Sequence, residues 1–244
     1  MRFSISLSGN GSYIKLPIHY NALIQAALYN QLSPEVADFL HNKGFIVDNR
    51  RFPLFAFSRI IGDYRLLRKE NKIVFSNPVQ LIVSSPVPEF VRDIAQILLK
   101  DGFRVGNQML TVTSLKMDAP TVDNDEIIVQ TLSPIVAYST MKRSDGRKYT
   151  VYFEPKEDDF QSIVINNLLR KGRLLYGENT PFQPITIRPV CKYKQHVVMY
   201  KQTIIKGYSG KFLLKGDQRL LQVAIDAALG SKNAMGFGLV EMKQ

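Results

Sequence analysis

A polar stretch with a proline, MDAPTVDN at Met117–Asn124, interrupts the hydrophobic patterning near the middle of this chain and divides it into two runs that must each bury a core. In the first run, alternation over Met1–Leu7 predicts a strand. Apolar residues at Leu23, Ile24, Ala27, Leu28 and Leu32 predict a helix over Tyr20–Leu32. Ser33 followed by Pro34 reads as the cap and first turn of a second helix, which runs to about Lys43 and stops at Gly44. Leu54–Ile60, Lys72–Ser76 and Val79–Ser84 read as strands, Pro88–Lys100 as an amphipathic helix closed by Gly102, and Gln108–Lys116 as a strand.

Beyond the break the same order returns. Strands are predicted at Glu126–Leu132 and Tyr149–Phe153, a helix at Asp158–Leu169, strands near Val197–Ile205 and at Gly210–Leu214, a helix at Gln218–Leu229 and a last strand at Leu239–Met242. Strand, helix, strands, helix, strand is the ferredoxin-like order. The expectation is an α+β chain of two tandem ferredoxin-like (RRM-like) domains with antiparallel sheets, residues 1–117 and 125–244. No strict sequence repeat accompanies the duplication, which rests on element order.

The net charge of +11, from 32 Lys and Arg against 21 Asp and Glu, is large enough to attract polyanions. It is concentrated: between Phe160 and Gly216 ten basic residues, among them Arg170, Lys171, Lys192 and Lys194, face the single acid Glu178. A nucleic acid or an anionic membrane surface is the partner class this implies, and the basic amphipathic helix that a membrane-surface protein needs is missing. The one cysteine, Cys191, excludes an internal disulfide or a multi-thiolate zinc site and points to a reducing cytoplasmic setting. No segment has the apolar run of a signal peptide or of a membrane span. HExxH and GxSxG motifs are absent, as is the carboxylate spacing of a two-metal nuclease, so neither a metal nor a cofactor is expected.

Gly230–Gly238, GSKNAMGFG, lies between a helix and the last strand. Gly230, Gly236 and Gly238 permit positive φ and close approach of a polyanion to the backbone amides, and Lys232 adds a cation. Gly230 also suits a helix end and Gly236–Gly238 an edge bulge. Helix, loop, strand is the wrong order for either a Walker A loop or a dinucleotide fingerprint. His41 falls at the end of the second helix, where the dipole favours its protonated form. Tyr29 reads as a half-buried aromatic on the helix before it.

The ending DAALGSKNAMGFGLVEM resembles the C-terminal glycine-rich loop of the CRISPR-associated repeat-processing endoribonucleases, a branch of the repeat-associated RNA-binding superfamily. MRFSISL at the start, ALYNQLSPEVADFLHNKGF followed by LFAFSRI, and LSPI at Leu132–Ile135 agree with it, in order along the chain. The resemblance implies metal-independent cleavage of CRISPR precursor RNA within its repeats, giving 2′,3′-cyclic phosphate and 5′-hydroxyl ends. His41 matches the family's catalytic histidine and Tyr29 its catalytic tyrosine. Where many members have a lysine, this chain has Pro53; Arg51 is the nearest substitute, with Arg50 and Lys43 as alternatives. RNA would be bound by the loop, by Lys232, Lys192 and Lys194, and by bases stacked on Tyr176, Tyr193 or Tyr208. The implied partner is CRISPR repeat RNA, with a CRISPR interference complex and a homodimer left open. The alternative is a non-catalytic member that scaffolds or caps guide RNA.

Overall fold

A computed structural model of the chain describes residues 1–97, 100 and 102–243. The first half contains β1 (Arg2–Gly9), β2 (Tyr13–Pro17), α1 (Asn21–Tyr29), α2 (Pro34–Asp38), β3 (Phe45–Val47), β4 (Arg50–Phe52) and β5 (Ala56–Phe57). It continues through β6 (Tyr64–Leu67), β7 (Lys72–Ser76), β8 (Val79–Ser84), α3 (Pro88–Ala95), β9 (Phe103–Val105) and β10 (Gln108–Asp118). The second half contains β11 (Glu126–Thr131), β12 (Tyr138–Lys142), β13 (Lys148–Tyr152), α4 (Asp158–Tyr176) and β14 (Thr186–Pro189). Then come β15 (Lys194–Tyr200), β16 (Thr203–Ser209), β17 (Lys211–Lys215), α5 (Gln218–Ala227) and β18 (Val240–Lys243).

Phe3, Ile5 and Leu7 of β1 are fully buried and alternate with serines, so one face of this strand enters the core. It sits inside an antiparallel sheet ordered β5-β8-β1-β10-β9; the second half builds an antiparallel sheet ordered β14-β17-β11-β18. In each, the first core strand lies between the third and the fourth, and the second borders the third. Both halves therefore have the ferredoxin-like arrangement, and the duplication is written in strand order rather than in sequence.

Several boundaries differ from expectation for identifiable reasons. The strand predicted at Leu54–Ile60 shrinks to β5, whose late start follows from Leu54, at a φ of 53° that no strand adopts. The run Val197–Ile205 is a hairpin, β15 and β16, turning at Lys201 with φ 52°. The strand predicted at Tyr149–Phe153 is β13, and it pairs only with β12, outside the main sheet. The helix predicted to end at Leu169 continues to Tyr176 and stops at Gly177, φ 108°. Of the helix predicted over Pro88–Lys100, α3 accounts for Pro88–Ala95, and positions 98, 99 and 101 lie outside the described residues. No described helix is long and apolar enough to cross a membrane.

The second helix changes character part-way. α2 gives way to a π-turn over Phe39–Lys43, a widening often found at functional sites. Ser33 occupies the cap position without capping: its N–H and hydroxyl both donate to Asp93 Oδ2 of α3, at 2.7 and 2.8 Å. This bond ties the start of the helix that carries His41 to the body of the first half.

Candidate active site

A cleft of about 810 Å³ lies between the two halves. One wall comes from α1, the π-turn and β4, and supplies Gln25, Tyr29, His41, Arg50, Arg51 and Pro53. α1 buries Ile24, Ala27 and Leu28, which leaves Tyr29 half-buried at its end. The phenol ring meets Phe55 edge-on at 5.5 Å and His41 edge-on at 5.7 Å between centroids. Burial, with a smaller contribution from nearby Tyr200, pushes the Tyr29 phenol up to about 12. At neutral pH it is therefore a hydrogen-bond donor and not a base.

The His41 ring is held from behind by a short relay. Asn42 Nδ2 donates to Asp38 Oδ1 at 2.6 Å, which turns the amide oxygen of Asn42 toward His41 Nδ1 at 2.9 Å. Facing an amide oxygen, Nδ1 is the donor in that contact, which fixes the plane of the ring. The β3–β4 hairpin closes through Asp48 and Asn49, both at positive φ as a two-residue primed turn requires. It lays Arg51 across Gly44, where a Cβ would stand 2.6 Å from Arg51 Cγ; Arg51 Nη1 donates to the His41 carbonyl at 3.3 Å. Gly44, φ 61°, is thus needed for both the turn and the crossing.

The other wall comes from the second half: Tyr138, Ser139 and Thr140 of β12, a face of α4, and the loop Ser231–Met235. The loop is fixed by one cation. Lys171, 1% exposed, donates from Nζ to Ala227 O, Ala228 O and Asn233 Oδ1 at 2.9, 2.8 and 2.6 Å. Burial pulls this ammonium down to about 7, and the three acceptors oppose that pull by giving each N–H a partner. Asn233 Nδ2 closes the loop on Leu229 O and Phe237 O, and Asn21 Nδ2 of α1 reaches Met235 O at 2.9 Å, docking the loop on the first half. Lys232 holds its ammonium 4.6 Å from the centre of the Tyr138 ring.

Two family models match the chain, CRISPR-associated protein Cas6, N-terminal, over residues 15–116 and CRISPR associated protein Cas6, C-terminal, over residues 117–242. The chain belongs to the Cas6 family. Among its relatives, the CRISPR-associated endoribonuclease Cas6 1 of Methanocaldococcus jannaschii is 29% identical over 98% of this chain and 92% of its own length. The CRISPR-associated endoribonuclease Cas6 of Pyrococcus furiosus is 25% identical over 100% and 90%. A solved CRISPR associated protein Cas6 superposes with a TM-score of 0.80 at 25% identity, covering 100% of this chain and 99% of that one. A Cas6-related protein from Pyrococcus furiosus gives 0.85 at 21% identity, over 100% and 98%, a likeness of fold.

Within this Cas6 fold the residues singled out from sequence divide sharply. Tyr29, His41, Arg51 and Lys232 line one cleft, together with Arg50 and Pro53. Lys43 does not line it. Lys192 and Lys194 are exposed but lie away from it; Lys192 borders a smaller depression with Lys156 and Tyr193. Tyr208 is core, packed edge-on against Phe160, and so cannot offer a face to a base. Lys171, one of the ten basic residues between Phe160 and Gly216, is buried.

The loop glycines have a packing reason. Gly230, Gly236 and Gly238 are buried, at φ 63°, 83° and 77°. A Cβ would stand 2.5 Å from Val136 O at the first, 2.4 Å from Phe57 Cε2 at the second and 1.9 Å from Leu229 O at the third. The tight folding of the loop on the protein is by itself enough to require glycine at all three positions. Asn166, Asn167 and Arg170 on α4, absent from the sequence-based site, line the cleft as well. Their spacing on one helix face was the available signal.

Proposed function

We propose that this chain is an endoribonuclease that cuts CRISPR repeat RNA in the cleft between its halves, without a metal ion, leaving 2′,3′-cyclic phosphate and 5′-hydroxyl ends. The observation that carries the reading is the meeting of His41 and Tyr29, rings 5.7 Å apart, in a cleft that also holds Arg50, Arg51, Arg170 and Lys232. His41 Nε2 takes the proton of the 2′-hydroxyl as the 2′-oxygen bonds to phosphorus. The P–O5′ bond breaks, and the leaving oxygen gains a proton from the neutral Tyr29 phenol, which recovers one from the imidazolium. Arg51 and the neighbouring cations offset the charge gathering on the phosphate, the part that a lysine at the Pro53 position would play.

Catalytic residues belong on this account to residues 1–117 and RNA positioning to 125–244, with the cleft drawing on both. A single exposed cysteine suits a cytoplasmic setting. Metal independence is supported by the donor set: the described lining offers one imidazole and no carboxylate, too few ligands for the oxygen-rich site of a phosphate-cutting cation. Cleavage of the repeat RNA of its own locus is expected to continue in excess chelator. Cutting that stops in chelator and returns with magnesium or manganese would overturn this mechanism.

A further inference from the structure

α4 turns Ile163, Asn166, Asn167, Arg170 and Lys171 into the cleft, positions that share one helix face. Two of its polar side chains have partners within the protein, one buried and one at the surface. Lys171 clamps the loop, and Arg170 Nε donates to Asp48 Oδ2 at 3.0 Å. Asn167 is different. It is 6% exposed, yet its Oδ1 has no hydrogen-bond partner among the described residues. Leaving such an acceptor unpaired destabilises a fold, whereas a leucine fills nearly the same volume with no polar atom to satisfy. No described residue returns that cost, and Asn167 lines the cleft, so the amide is best explained by a group that enters there.

We propose that Asn167 is the specificity residue of a nucleobase subsite that reads one unstacked base of the bound RNA beside the cut. This rests on the RNA-cleaving reading above. A carboxamide carries an acceptor and a donor side by side, the complement of an amino group beside a ring nitrogen; adenine presents that pair on two edges, at N1 and N7, and cytosine on one, so the commitment is to adenine. Arg170, one turn along the same face, and Lys232, in the loop, are cations of the same cleft wall that suit the phosphates flanking such a base.

The test measures affinity for the repeat RNA of the protein's own locus with each nucleotide changed in turn, in a His41→Ala background so that the profile is obtained whether or not the protein cuts. The background protein is expected to lose about 10-fold or more in affinity when one particular adenine is replaced. Asn167→Leu should flatten that preference to within about twofold, leave other positions alone, and unfold at the same temperature or a higher one, since a buried unpaired oxygen has been removed. Asn167→Ala, which opens space but strains nothing, should flatten the same position. Either variant, folded and with the parental nucleotide profile, overturns the subsite. So does a lowered unfolding temperature with affinity falling equally for every RNA, the behaviour of a purely structural residue.

Discussion

His41→Ala is expected to slow repeat-RNA cleavage by about 10²- to 10⁴-fold, the usual effect of removing a positioned acid or base, while affinity stays close to wild type. The ring is exposed, and its geometry with Tyr29 and Asn42 makes it an oriented group rather than a packing element. Truncation therefore leaves the core intact, and the loss is confined to the chemical step. Single-turnover rates with saturating protein separate this from weakened binding. A rate within about threefold of wild type would remove His41 from the reaction.

The largest structural effect is expected at Gly238. A methyl group there would stand 1.9 Å from Leu229 O and 2.7 Å from Asn233 Nδ2, at a φ of 77° that alanine resists. Backbone must move, and the displaced groups are those that Asn233 uses to close the loop. Gly238→Ala should cost roughly 2 to 4 kcal/mol, the combined scale of backbone strain and a broken buried network. For a chain of this size that is a fall of about 5 to 15 °C in unfolding temperature. Gly11→Ala, where a Cβ meets nothing within 4 Å, is the matched control and should change little. A Gly238→Ala protein with wild-type stability and only weakened RNA binding would restore the phosphate-approach reading of the glycines.

How far these features were legible in the sequence depended on whether local pattern or distant contact decided them. β1 was legible because its alternation, Phe3, Ile5, Leu7 against serines, is the burial pattern itself. The hairpin of β15 and β16 was not, since its turn at Lys201 and Gln202 lacks the glycine or asparagine that marks such turns. β14 escaped because Thr186–Pro189 is a short edge strand in a proline-rich stretch, with no alternation to read. Tyr29 and His41 were placed through family resemblance; composition and spacing alone left both as ordinary helix residues. The second wall of the cleft stayed hidden because it is made by contacts between halves. A charge count cannot tell that Lys171 is buried under three acceptors while Lys192 is on the surface, and no local pattern marks Asn167 as a cleft residue whose buried amide oxygen lacks a partner among the described residues.

The central claim is that the cleft cuts RNA by attack of the RNA's own 2′-oxygen. The most direct test replaces the nucleotide 5′ to the cut in the locus repeat RNA by its 2′-deoxy form and follows binding and cleavage together. The expected result is unchanged binding and an intact strand, with the unmodified RNA ending in a 2′,3′-cyclic phosphate and a 5′-hydroxyl. Cleavage of the deoxy-substituted RNA at the same bond would contradict the account, and tight binding of the unmodified repeat without any cleavage would make the chain a scaffold for RNA instead.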